Sequence, residues 1–198
     1  FLKVLSGKLN PNSGIVSIEP GKRMSVLEQN HSAYDDFQVL QSTLMGNKEL
    51  YDIKNEMDQL YSKEDFNDND GVRVGELQNR YEELNGWNAE SDAASLLSQL
   101  GVSEDHHYLK MSDLDGKTKV RVLIAQSLFG NPDILIMDEP TNDLDFDTLD
   151  LLKLVIKNYD GTVLIISHDR FFLDNTIEKL LVFENNNRIL KHEGNFSD

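Results

Sequence analysis

The chain has 198 residues, enough for one domain or one domain plus a subdomain, with 35 Asp and Glu against 19 Lys and Arg and a formal net charge of −16. That balance argues against a free-standing nucleic-acid binder held by a broad basic face, because phosphate contacts need clustered cations. There is no cysteine, so disulfides, thiolate chemistry and cysteine-based zinc sites are excluded; 39% apolar residues argue against wholesale disorder, and no apolar run approaches the roughly 20 residues that span a bilayer.

Phe1 to Leu9 reads as a helix end stopped by Asn10-Pro11-Asn12-Ser13-Gly14. The chain opens on Phe1 rather than Met, so a clipped start is expected. Ile15 to Ile18 and Met24 to Leu27 read as short strands around Pro20-Gly21, and Gln29 follows the second directly. Ile53, Met57 and Leu60 fall at helical spacing from Asp52, and Val74, Leu77, Tyr81 and Leu84 repeat it beyond a break at Asn67-Asp68-Asn69-Asp70-Gly71. Two such helices predict a hairpin arm. Gly86-Trp87 ends it, with Trp87 expected in the core. Ala93, Leu96, Leu97 and Leu100 predict a further helix stopped by Gly101, and Lys119 to Phe129 predicts another, ended by Gly130-Asn131-Pro132.

From there strand and helix alternate. Ile134 to Met137 reads as a buried strand, Leu144 to Tyr159 as a helix and Thr162 to Ser167 as an apolar strand, so a parallel sheet is expected. Leu180 to Glu184 and Arg188 to Lys191 predict a hairpin over Asn185-Asn186-Asn187. Charge is uneven: residues 45–110 hold 15 acids and 6 bases, while residues 1–44 are balanced. A helical subdomain over 45–110 is therefore expected, between a segment 1–44 and a segment 111–192, with 193–198 trailing.

The chemistry-bearing signals sit at two strand ends. Ile134-Leu135-Ile136-Met137 runs into Asp138-Glu139-Pro140-Thr141, which places two acids at the carboxyl edge where open α/β sheets bind ligands. Asp138 suits Mg²⁺, a hard cation that takes oxygen ligands; Glu139 suits orienting an attacking water. Val163-Leu164-Ile165-Ile166-Ser167-His168-Asp169 brings a histidine to the same edge one crossover away, where it suits donation to a phosphate.

On these residues the chain resembles the nucleotide-binding domain of ATP-binding-cassette proteins. The fold implied is a P-loop NTPase-like α/β domain with an inserted α-helical arm and a signature subdomain. By resemblance, Asp138 and Glu139 match the Walker B aspartate and catalytic glutamate, and Asn142 to Asp145 the D-loop. His168 matches the switch histidine and Gln29 the Q-loop glutamine that senses Mg²⁺ and water. The signature, usually Leu-Ser-Gly-Gly-Gln, corresponds to Leu114-Asp115-Gly116-Lys117-Thr118. In the family it opens a helix facing the γ-phosphate of the opposite cassette. Asp115 there either repels phosphate or caps the helix; the capping reading is preferred, with Lys117 and Lys119 offsetting the charge. No Gly-rich phosphate loop with Lys-Ser/Thr occurs in these residues, and Lys3 reads as a solvated helix lysine, so the stretch alone is not expected to turn over ATP.

Thr141-Asn142-Asp143-Leu144-Asp145, Ser167 to Asp174 and the arm segment Leu77 to Ala94 resemble the ABC-F subfamily, soluble tandem ATPases of the ribosome. Glu193 to Asp198 resembles the start of that group's interdomain linker. The resemblance implies ATP and Mg²⁺, a second cassette in the same chain or a homodimer partner, the ribosome and transfer RNA as partners, and a cytoplasmic location. Alternatives are the ATP-binding subunit of a membrane transporter, or a nucleotide-dependent scaffold that does not hydrolyse. The 84 residues between Gln29 and Leu114 exceed a transporter cassette's usual length there. At the arm tip, Ser62 to Gly75, Lys63, Arg73 and Phe66 are set against Glu64, Asp65, Asp68 and Asp70; RNA contact, basic-protein contact and plain solvation all remain open.

Overall fold

The structure, a computed structural model, describes residues 1–27, 30, 32–142, 144–184, 188–195 and 197. It forms two compact units: residues 1–29 with 132–198, and residues 30–131.

In the first unit, β1 (Met24–Leu27), β2 (Ile134–Asp138) and β3 (Thr162–Ile166) make a parallel sheet in the order β1-β2-β3. Parallel strands are covered on both faces, and Leu135, Ile136 and Met137 at the sheet's centre are fully buried. β3 is only half-buried, with Ile166 41% exposed. The register pairs Val26 with Ile136 and Ile136 with Leu164, so the carboxyl ends of β2 and β3 finish together. Asp133 fastens the opposite ends, accepting from Lys22 Nζ and from the Arg23 N–H at 2.8 Å each. The Lys22 ammonium, then that N–H, hold its carboxyl below the usual range.

The unit is completed by α1 (Leu2–Leu5), α7 (Phe146–Lys157), α8 (Arg170–Thr176) and the antiparallel hairpin of β4 (Lys179–Phe183) and β5 (Ile189–Glu193). Leu152 from α7 and Phe172 from α8 are fully buried. The expected strand over Ile15–Ile18 is not formed: the segment is irregular and Ile15 is 93% exposed. Its β-branched composition favours a strand, but within the described residues no neighbouring strand pairs with it.

The second unit holds α2 (Val39–Leu44), α3 (Lys48–Tyr61), α4 (Asp68–Glu83), α5 (Ala89–Gln99) and α6 (Gly116–Leu128). α3 and α4 form the predicted hairpin, with Ile53 and Met57 buried on one helix and Val74, Leu77 and Tyr81 on the other. The break between them lies earlier than expected. Asn67 is the N-cap of α4, accepting from the N–H groups of Asn69 and Asp70, while Asp70 accepts from the Asn67 N–H. This reciprocal capping box draws residues 68–71 into the helix.

Ion pairs zip the arm. Arg73 donates to Glu56 at 2.7 Å and Glu76 at 3.2 Å; Arg80 to Glu49 at 2.7 Å and Glu83 at 2.8 Å; Lys63 to Asp70 at 2.5 Å. Lys48 pairs with Asp52 and Lys54 with Asp58 one turn on. The two tip cations, Lys63 and Arg73, thus bond the arm's own carboxylates. Trp87 is not in the core: it is 63% exposed and meets the buried Tyr81 edge-on, ring centroids 5.1 Å apart. Gly86 explains this, since a Cβ there would lie 2.5 Å from the Tyr81 ring; Tyr81 packs on the glycine and Trp87 stays outside.

α6 is the buried axis of this unit, with Val122, Leu123, Ile124 and Ala125 at or near zero exposure. Gln126 Nε2 donates to the Ser42 carbonyl at 2.8 Å. α6 packs with α2 and α5, and α2 meets the arm through α3. The helical unit spans 30–131, wider than the expected 45–110, because charge marks the arm but not the apolar helices at its base.

Candidate functional site

β2 ends at the half-buried Asp138, and Glu139 follows with φ 47°, a left-handed conformation rare for a residue with a side chain. Pro140 comes next and disfavours the helical region for the residue before it. Two bonds hold the turn: the Glu139 N–H donates to the Ile166 carbonyl at 2.7 Å, and the Glu139 carbonyl accepts from Asn142 at 3.2 Å. A backbone held in so sparse a region stores roughly 1–3 kcal/mol, and such positions cluster at functional sites. The turn lifts Glu139 off the sheet and folds its side chain toward the end of β3.

There it meets His168. The His168 N–H donates to Glu139 Oε2 at 3.1 Å, and His168 Nε2 lies 3.2 Å from Oε1. That second approach is within ion-pair range but makes no aligned hydrogen bond, and Oε1 is buried without a hydrogen-bond partner. Glu139 is 16% exposed while the imidazole is 95% exposed. The pair thus combines an enclosed carboxylate oxygen with open acceptor capacity and a ring reaching into solvent. Beside it, Thr141 Oγ1 and Ser167 Oγ are 3.3 Å apart, and Ser167 Oγ accepts from the Asp169 N–H at 3.1 Å. These two hydroxyls were not singled out from sequence. The signal was present: each follows its strand end by one or three residues, and parallel register makes those ends neighbours.

Asp145 caps α7, accepting from the Thr148 N–H at 2.9 Å, so the turn after Glu139 ends in a fixed helix start. Asp169 caps α8 likewise through the Phe172 N–H at 3.0 Å. Gln29 and Asp143 lie outside the described residues.

Leu114, Asp115, Gly116, Lys117 and Thr118 lie in the helical unit, at the entrance to α6. Asp115 is the N-cap: Oδ1 accepts from the Thr118 N–H at 3.0 Å and Oδ2 from Thr118 Oγ1 at 2.8 Å. Those bonds, the N–H first, hold its carboxyl below the usual range. Of the two sequence readings of Asp115, the capping geometry is the one formed. Leu114 is buried and Gly116 starts the helix three residues earlier than expected.

Comparisons with known proteins identify the family. The family described as "ABC transporter" matches residues 1–142. An uncharacterized ABC transporter ATP-binding protein, YkpA, of Bacillus subtilis (strain 168) is 52% identical over 174 residues, covering 88% of this chain and 32% of that protein. The energy-dependent translational throttle protein EttA of Mycobacterium tuberculosis (strain ATCC 25618 / H37Rv) is 29% identical over 204 residues, covering 99% of the chain and 35% of EttA. The chain spans about a third of the length of these relatives. Among solved structures, a nucleotide-free ATP-binding cassette from an ABC transporter superposes with a TM-score of 0.62 at 21% identity, covering 98% of the chain and 74% of that structure, which supports the fold. Among the described residues no helix is long and apolar enough to cross a membrane. The chain therefore belongs to the ATP-binding-cassette family, and its resemblance to the ABC-F subfamily, carried by Thr141–Asp145 and Ser167–Asp174, stands.

Proposed function

We propose that this chain is the ATP-binding portion of a cytoplasmic ABC-F type ATPase that hydrolyses ATP on the ribosome, in concert with a second cassette. The observation that carries the reading is the Glu139–His168 pair at adjacent parallel strand ends. Glu139 orients the attacking water: its carboxylate is fixed at Oε2 by a backbone N–H, while the enclosed Oε1 keeps its acceptor capacity. His168, exposed and within 3.2 Å of that oxygen, is placed to donate to the terminal phosphate. Asp145 and the Thr141–Ser167 hydroxyl pair hold the turns around them.

Mg²⁺ fits the donor set. Asp138, half-buried at the carboxyl end of β2, supplies the hard oxygen donor that this ion takes while keeping waters as further ligands. Asp138 would hold it, with Gln29 as the second contact, and when bound it would neutralise charge on the β- and γ-phosphates. On the other face of the composite site, Leu114–Thr118 offers the N-terminus of α6 to the partner cassette's nucleotide. The Asp115 carboxylate is engaged by Thr118 as a helix cap, and those bonds keep it ionised.

The reading of translation as the cellular context is supported by EttA, named a translational throttle protein, which is 29% identical over 99% of the chain. Ribosome and transfer RNA are the partners that go with it. The test is sedimentation of the full-length protein carrying Glu139→Gln and the equivalent change in its other cassette. It is expected to pellet with ribosomes in ATP and not in ADP. Absence from the ribosome pellet, with ATP still bound, overturns the ribosomal reading in favour of a transporter subunit.

A further inference from the structure

Asp35 holds the signature segment at both ends. Its carbonyl accepts the Ser112 N–H at 3.1 Å, just before Leu114. Its carboxylate accepts from Lys119 Nζ at 2.5 Å, just after Thr118. Neighbouring bonds sew the same strip of chain in place. Phe37 accepts from Met111 at 2.9 Å, Val39 donates to Leu109 at 3.0 Å, and Gln38 bridges Lys110. All these groups lie within the helical unit.

Lys119 is oddly placed for stability alone. It sits in the first turn of α6, where the helix macrodipole disfavours a cation. Its side chain is 14% exposed and that of Asp35 35%, so the pair lies at the edge of the helical unit's interior. The Asp35 carboxyl responds: its hydrogen bond to Lys119 holds it below the usual range. A partly exposed ion pair contributes little net stability, so the value of this one lies in the geometry it fixes.

We propose that Asp35 is a positioning residue that clasps both ends of the signature segment through Ser112 and Lys119, and so fixes the pose in which Leu114–Thr118 meets nucleotide. Its consequence for turnover rests on the ATPase reading above; its local effect does not. Asp35 touches no reacting atom and acts through Lys119 and the segment it closes.

The test uses full-length protein with Asp35→Ala, Lys119→Met, the double variant and Asp35→Glu. Amide hydrogen exchange is read peptide by peptide. The two single variants are expected to speed exchange over residues 112–119 by about tenfold or more while α3 and α4 keep their protection. The double variant is expected to be no worse than either single, because one interaction is removed once. Asp35→Glu is expected to restore protection. Exchange that is unchanged, or that rises equally across residues 30–131, overturns the clasp. In ATP turnover, kcat is expected to fall by roughly tenfold with KM nearly unchanged, as for a contact made to the reacting state. Faster local exchange with kcat unaltered overturns the positioning role. A wild-type protein without ATP turnover overturns the ATPase reading, while exchange still decides the clasp.

Discussion

The two units are specified by different means. The helical unit is built from side-chain periodicity: apolar residues at helical spacing, reciprocal caps, and ion pairs zipping α3 to α4. The nucleotide unit's site is built from backbone geometry. A left-handed Glu139, ladder bonds at the ends of β2 and β3, and capped turns place a few side chains. The lesson is that the α3–α4 arm can vary in its surface chemistry without touching the site, while one backbone angle at Glu139 cannot.

The sharpest break is at Gly46. A Cβ there would lie 1.8 Å from the Gln126 carbonyl oxygen, so α2 and α6 could not keep their approach. Gly46→Ala is expected to destabilise the helical unit by several kcal/mol, in the range of severe overpacking. Limited proteolysis should cut within residues 30–131 first and leave the β2–β3 peptides protected. Equal loss of both units would show that they are not separately specified.

Asp115→Ala comes next. Losing an N-cap costs about 1 kcal/mol. Denaturant melting should show that loss, and Asp115→Ser, which can still cap, should recover most of it. If Asp115→Ala is silent, the cap is not what holds the start of α6.

Smaller still is the arm zipper. Arg80, about half exposed, pairs with Glu49 and Glu83, and such surface pairs contribute little net stability. Arg80→Met is expected to lower stability less than Asp115→Ala does, with the deficit shrinking in high salt. A deficit that salt leaves unchanged would point to packing instead.

The pH dependence is the mildest effect. Asp70, held by Lys63 and then the Asn67 N–H, and Asp133, held by Lys22, both have depressed carboxyl pKa values. A depressed carboxyl contributes stability above its unfolded pKa of about 3.9 and loses it as pH falls through the folded value. Melting temperature should therefore be level from about pH 5 to neutrality and fall below about pH 4. In Asp70→Asn the acid-side fall should be shallower.

Legibility followed the same division. The α3–α4 pair was readable because Ile53, Met57, Val74, Leu77 and Tyr81 follow helical spacing and each is buried. The parallel strands were readable from their apolar runs. Ile15–Ile18 looked like a strand because β-branched residues carry that preference, but propensity supplies no partner. Trp87 looked like core because bulk usually is; the glycine beside it gave Tyr81 the inner position. The extent of the helical unit was hidden, since α2, α5 and α6 pack together by apolar contacts that charge does not record. At the site, Asp138, Glu139 and His168 were legible as residue types at strand ends. The left-handed turn at Glu139 and the Asp35 clasp depend on backbone geometry and long-range approach, for which the sequence carries no local signal, while the Thr141–Ser167 contact follows from the parallel register of two legible strand ends.

The most direct test of the central claim is phosphate release from full-length protein in which the proposed second site has been disabled, measured for wild-type Glu139 and for Glu139→Gln. If Glu139 is the group that orients water, the glutamine variant should lose at least about a hundredfold in turnover, the range of a lost catalytic base, while still binding ATP. Turnover that persists within a fewfold of the parent would contradict the account, because the enclosed Oε1 beside His168 would then have no part in the chemistry.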